Sequence, residues 1–229
     1  MPEIEDFQYS EEELDAMVRA INDFKKGMMG KDLFSPERGD GFVFGVQKRC
    51  RDRLHGLELD VAANRRLIAV AKPFPSFLHR AFDGVLSTRQ DRDIYSTPED
   101  ELEEETSVEE LVTHVKKLGF KGVLTSGGWR DATGNLKTLA EVGRAALLGK
   151  KEEEEEEEEE DDRFELIVGG GLRCDNLHKI CDAMKDVAQH RDFWLHSSCY
   201  DRGYFSDVQA RHILREMRMV EAANTAGIP

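Results

Sequence analysis

No stretch of this 229-residue chain comes near the ~18–20 consecutive apolar residues of a membrane-spanning helix, so the sequence predicts no membrane span. There is no Cys-x-x-Cys pair; Cys50, Cys174, Cys181 and Cys199 stand singly. Scattered thiols suit the reducing cytosol better than a disulfide framework. The opening residues, Met1 to Asp6, lack the basic start and apolar stretch of a secretory signal. No basic stripe or aromatic-plus-basic cluster marks a nucleic-acid surface. These absences predict a cytoplasmic protein with neither a membrane nor a nucleic acid as partner.

Acid is what the chain has in excess, and it is concentrated. The net charge is −15, but residues 99–106 hold six acids and no base, and residues 152–162 hold eleven acids and no base. Without those seventeen the remainder stands at +2. The nine glutamates from Glu152 to Glu160 gain nothing from burial and repel one another, which predicts a solvated loop. The organisation expected is one domain over 1–229, with solvated acidic inserts at 84–106 and 149–163.

Short apolar runs alternate with helical patterns along the rest. Ser10 and Glu13 have capping-box spacing, and Leu14, Met17, Val18, Ile21 and Phe24 mark one face of a first helix. Strands are expected at 41–46, up to His79, up to Ser126, at 164–168 and at 193–196. Helices are expected near 60–71, from a Ser107/Glu110 capping box to Gly119, near 135–148, through Leu177, Ile180, Cys181, Met184 and Val187, and over 207–223. Uninterrupted strand–helix alternation implies right-handed crossovers and a parallel α/β sheet of about five strands with flanking helices. Five strands suffice for an open sheet and are too few to close an eight-stranded barrel. The edges at Phe42–Val46 and Phe193–His196 would stand unpaired, which predicts association of copies or cover by other elements.

Each predicted strand ends in residues suited to chemistry, and in a parallel sheet those ends share one rim. His79, Arg80 and Asp83 follow one strand. An imidazole beside a guanidinium and a carboxylate can move a proton or hold an anion; equally, Arg80 and Asp83 can simply pair to fix the loop. Ser126-Gly127-Gly128 and Gly169-Gly170-Gly171 allow close backbone approach to a ligand, or make tight turns into helices. Asp175 and Asn176 follow at a helix start where free amides suit a phosphate or carboxylate. His196 and Ser197 end the last strand. An enzyme built on this rim would use His79 or His196 as general acid/base, with Asp83 orienting it. Arg80, Ser126, Ser197 and the glycine amides would hold a small phosphorylated or carboxylated metabolite.

Several segments are recognisable together. Asp6-Phe-Gln-Tyr-Ser10, Gly41-Phe-Val-Phe-Gly45, His79-Arg-Ala-Phe-Asp83, Leu124-Thr-Ser-Gly-Gly128, Gly169 to Gly171 with Asn176, and Phe193-Trp-Leu-His-Ser-Ser198 resemble, in this order, signatures of the CutC copper-homeostasis family. The resemblance implies a (β/α)8 TIM-barrel, of which this chain carries the equivalents of strands four to eight. The family's opening three strands, the first two of which hold the cysteines proposed to bind Cu(I), have no counterpart in it. One reading of that gap is an incomplete translation of a longer protein. The resemblance also implies cytosolic copper binding and trafficking, with no assigned reaction. If Cu(I) is bound here, its preference for soft ligands points to Cys50 and Cys199 beyond strand ends and to Cys174 after the triple glycine. Cys181 sits on an apolar helix face and reads as a small hydrophobe.

Overall fold

The structure, a computed structural model, describes residues 7–29, 34–50, 56–90, 107–148, 163–201 and 203–226. Ser10 opens α1 (Glu11–Met29). Its hydroxyl accepts the Glu13 N–H at 3.3 Å and the Glu13 carboxylate accepts the Ser10 N–H at 2.7 Å, the reciprocal bonding of a capping box. Strands β1 (Phe42–Phe44), β2 (Gln47–Arg49) and β3 (Leu57–Leu59) follow, then α2 (Val61–Ala71), capped by Asp60. Next come β4 (Ser76–Leu78), α3 (Ala81–Gln90) and α4 (Val108–Leu118). A complete Ser107/Glu110 capping box starts α4 and Gly119 ends it. Then come β5 (Gly122–Thr125), a 3-10 turn (Ala132–Asn135), α5 (Leu136–Gly143) and a π turn (Arg144–Leu148). The chain continues through β6 (Glu165–Val168), α6 (Leu177–Ala183), β7 (Phe193–Leu195), the short pair β8 (Tyr200–Asp201) and β9 (Tyr204–Phe205), and α7 (Asp207–Ala226).

One five-stranded sheet in the order β1-β4-β5-β6-β7 forms the frame, and every pair in it is parallel. Its register levels the C-terminal ends: Phe44 lies opposite Leu78, Thr125 opposite Val168, and Val168 opposite Leu195. Main-chain bonds carry that alignment one residue past the strands. The His79 N–H donates to Phe44 O at 3.2 Å, Gly169 N–H to Thr125 O at 2.9 Å, and His196 N–H to Val168 O at 2.8 Å. Helices pack their apolar faces on the sheet, burying Leu67, Val112, Val115, Leu139, Val142, Leu177 and Ile180 with Leu78, Val123 and Leu166. At ~1.5–3 kcal/mol for each large aliphatic side chain removed from water, this layer is the main source of cohesion.

The expected parallel sheet of five strands is present, with β1 and β7 as its two edges. The predicted insert 84–106 is corrected at its start. Residues through Gln90 continue α3, because Val85 and Leu86 are buried against the core. Its remainder, 91–106, lies outside the described residues, as do residues 149–162 of the second insert and its glutamate tract. Arg163, placed at the end of that insert, is described and pairs with Asp192 at 2.9 Å. The helix expected over 135–148 divides into 3-10, α and π segments, and α6 stops at Ala183 although Met184 and Val187 remain buried. Two antiparallel pairs, β2 with β3 and β8 with β9, were not expected.

Candidate functional site

The rim is organised around Asp83, which is only 1% exposed. Its carboxylate accepts the Arg80 Nε–H at 3.0 Å, the Ser126 N–H at 3.0 and 3.1 Å, the Ser126 hydroxyl at 2.8 Å, and the Thr125 hydroxyl. A buried carboxylate is costly unless paired and hydrogen-bonded, and here both conditions hold. Because α3 begins immediately after β4, Asp83 on its first turn reaches across to the end of β5. The carboxylate therefore clasps two neighbouring strand–helix units together.

That geometry changes the part expected of Asp83. Its acceptor capacity is directed at Arg80, Thr125 and Ser126, so it does not orient a histidine. Ser126 is likewise engaged. Its single hydroxyl proton faces both the Asp83 carboxylate and Gly128 O (2.9 Å), while the oxygen accepts from Arg80 Nη2 at 3.2 Å. Arg80, fixed by these contacts, still leaves 42% of its side chain exposed at the rim. His79 is half-buried under the ring of Phe7, centroids 4.3 Å apart. Its Nδ1 accepts the Ala81 N–H at 3.1 Å, which puts the proton of the neutral imidazole on Nε2.

The two glycine turns lock into the clasp. Gly127 has φ 77° and its N–H donates to the Thr125 hydroxyl at 2.9 Å. Gly170 has φ 93°, and a Cβ there would stand 2.8 Å from Ser126 Cβ. The third glycine turns inward on its own loop: Gly171 O accepts from Asn176 Nδ2 at 2.8 Å, and Asn176 Oδ1 accepts the Arg173 N–H at 2.8 Å. Tight turning, with close approach between the β5 and β6 loops, is thus one function of these glycines. Gly128 and Gly169 lie in the same two turns, Gly169 with its N–H on Thr125 O. His196 is exposed beyond β7, its Nδ1 3.4 Å from where a Gly169 Cβ would be. Ser197 braces that loop by donating to Leu172 O at 2.8 Å. His79, Ser126, Gly170 and His196 therefore stand along one rim in strand order.

The thiols are placed differently. Cys50 lies at the end of β2 in a cleft of about 860 Å³ beside the β2–β3 hairpin and α4. Cys174 lines another, of about 420 Å³, with Asp175, His212, Arg215 and Glu216. Cys199 is half-buried near Ser197, with φ 52°. Among the described residues no three His, Cys, Asp or Glu side chains come together to hold a metal ion. Cys50, Cys174 and Cys199 therefore do not form one three-thiolate site within the chain. The loops of Cys174 and Cys199 meet where Ser197 donates to Leu172 O, whereas Cys50 lies in the cleft beside the β2–β3 hairpin. Cys181 is buried on α6, and burial, then the nearby Asp182, raises its thiol pKa.

Sequence reading missed Phe7, Gln47 and Thr125 as parts of the rim. Gln47 is buried; its main-chain N–H donates to Phe7 O at 2.8 Å and its side-chain amide to Ala81 O. Nothing in the local pattern marks it. Thr125 carried a signal, a β-branched hydroxyl next to Ser-Gly-Gly at a strand end, where it meets the neighbouring acid.

Parallel strands flanked by helices, with polar residues gathered past their C-terminal ends, define the architecture as part of a (β/α)8 barrel. The CutC protein of Streptococcus agalactiae has a like fold in its crystal structure, with a TM-score of 0.52 and 19% identity over 85% of this chain and 68% of that one. No family model matches the sequence. Curated relatives do. The copper homeostasis protein cutC homolog of Drosophila melanogaster is 25% identical over 185 residues, 81% of this chain and 52% of that protein. A CutC family protein of Parabacteroides distasonis is 29% identical over 175 residues, 76% and 51% of the two chains. Another, from Agrobacterium fabrum, is 25% identical over 198 residues, 86% and 57%. The chain is similar to proteins of the CutC family, and it spans about half the length of these curated relatives.

Proposed function

We propose that this chain acts in copper homeostasis, taking Cu(I) as cargo in the cytoplasm. The observation that carries the reading is the relationship, over four-fifths of the chain, to a Drosophila protein named for copper homeostasis. The half-buried thiols Cys50, Cys174 and Cys199 support it as soft donors open to an incoming ion. Because no three described His, Cys, Asp or Glu side chains converge, Cu(I) would be held by fewer than three donors of those types among the described residues, or between molecules. The test is a Cu(I) titration against a chromophoric chelator, comparing the chain with a variant in which all four cysteines are serine. The reading expects competition by the parent chain and its loss in the variant. Equal affinity in both removes the thiol site.

A second reading has its own observation in Arg80, which is held rigidly yet opens to the rim beside His79. That arrangement suits a barrel enzyme for a small phosphorylated or carboxylated metabolite. Arg80 would bind the anion, and His79 and His196 would serve as general acid/base. Thermal stabilisation by such metabolites, lost in Arg80→Gln while the unliganded protein still melts cooperatively, is the expected result. No stabilisation across the panel rejects it.

A further inference from the structure

The β6–α6 loop and α7 border a cavity of about 420 Å³ that is lined, among the described residues, by ionisable side chains alone. Cys174 and Asp175 come from the loop, and His212, Arg215 and Glu216 from the helix. The loop side is tied down around Cys174. Asn176 Oδ1 accepts the Arg173 N–H at 2.8 Å, Asn176 Nδ2 donates to Gly171 O at 2.8 Å, and the Leu177 N–H donates to Arg173 O at 3.1 Å. The helix side is anchored by Ile213, which is buried, and by Met217, which packs against the core. On the flank beside them, His212 and Glu216 stand one turn apart at i,i+4 spacing. Among the described residues, none of the five side chains is engaged in a hydrogen bond or an ion pair. Two carboxylates against one guanidinium leave the cavity net negative, which favours a cation.

We propose that Cys174 and His212 together bind Cu(I) as a two-donor site, an assignment that rests on the copper reading above. Donor chemistry is the first argument. Cu(I) prefers thiolate and accepts imidazole, and this cavity offers one of each from two different elements. A closed-shell ion makes no demand for a third ligand, in keeping with the absence of any three converging His, Cys, Asp or Glu side chains among the described residues. As the metal–sulfur bond forms, the thiol proton leaves to solvent. The imidazole binds through its unprotonated ring nitrogen, and the copper remains Cu(I). Availability is the second argument. Cys181 is buried on α6, the Cys199 thiol faces Ser197 O at 3.8 Å, and His114, the histidine in the cleft of Cys50, is already engaged. His212 is exposed and has no partner among the described residues, so its ring can turn toward the thiol. Asp175 and Glu216 supply the field that draws the cation in.

The test is Cu(I) affinity, measured without oxygen by competition with a chromophoric chelator. The parent chain is compared with Cys174→Ser, His212→Ala, Cys50→Ser and Cys199→Ser. The expected result is a loss of about 10-fold or more in each of the first two, since even a group bonded to a ligand is worth that much. No change is expected in the last two. X-ray absorption at the copper edge of the loaded parent should show one sulfur and one nitrogen donor. Because His212 is exposed, His212→Ala keeps the fold, and circular dichroism melts check this for every variant. An unchanged Cys174→Ser or His212→Ala, or a loss in Cys50→Ser or Cys199→Ser, overturns this site and leaves the copper reading standing. No binding by the parent, or equal affinity when all four cysteines are serine, overturns both.

Discussion

Between β4 and β6 the rim is turned inward, and at β7 it faces solvent. In the middle of the sheet, Asp83, Thr125 and Ser126 are buried and bond to one another across two strand–helix units. At the edge, His196 stands one residue past β7 as Ser126 does past β5, yet it is exposed, as is Trp194 within the strand. The chemistry of the residue types does not separate these regions; neighbour count in the sheet does. A strand end with neighbours on both sides has somewhere to direct a carboxylate, whereas an edge strand has one. A polar residue at a central strand end is therefore first a candidate brace, and one at an edge is first a candidate contact.

The largest effect should come from breaking the brace. Asp83→Ala leaves the Ser126 N–H, both hydroxyls and Arg80 without their acceptor, and should cost about 3–5 kcal/mol in denaturant unfolding. Gly170→Ala comes next. It forces a side chain onto φ 93° and to within 2.8 Å of Ser126 Cβ, an expected loss of about 2–4 kcal/mol by the same measurement. Glu165 should give a smaller effect of opposite sign. Burial, then the like charge of Asp192, raises its pKa, so the folded chain holds that proton more tightly than the unfolded one. Stability from this group is therefore greatest below the ordinary glutamate value and falls as pH rises through the raised one. Glu165→Gln should remove that fall and raise stability at neutral pH by less than about 1 kcal/mol, after allowance for solvent screening. Melting curves across the acid range would show it. Least of all, His196→Ala should move stability by no more than ~0.5 kcal/mol, as for an exposed side chain whose structural bond is made by its main chain.

Much of the sheet was legible because its signals are local and periodic: apolar runs of strand length, two capping boxes, and glycines at turns. The shared rim followed from direction alone, since parallel strands put their ends together. What could not be read was which rim residues would meet. Asp83 and Ser126 lie 43 residues apart, and their bond depends on α3 starting at once after β4, a helix obscured by the acid-rich stretch beyond it. Gln47 was invisible for a similar reason, because its burial is set by the unforeseen β2–β3 hairpin and by Phe7. The thiols were grouped from their place after strand ends, but a position past a strand does not fix where its loop travels.

The central claim is that Asp83 and Ser126 act as one unit holding the β4 and β5 ends together. The most direct measurement is a double-mutant cycle in denaturant unfolding with Asp83→Asn, Ser126→Ala and the pair. A coupling energy of about 1–3 kcal/mol is the expected result. Additive losses, with no coupling between the two positions, would contradict it.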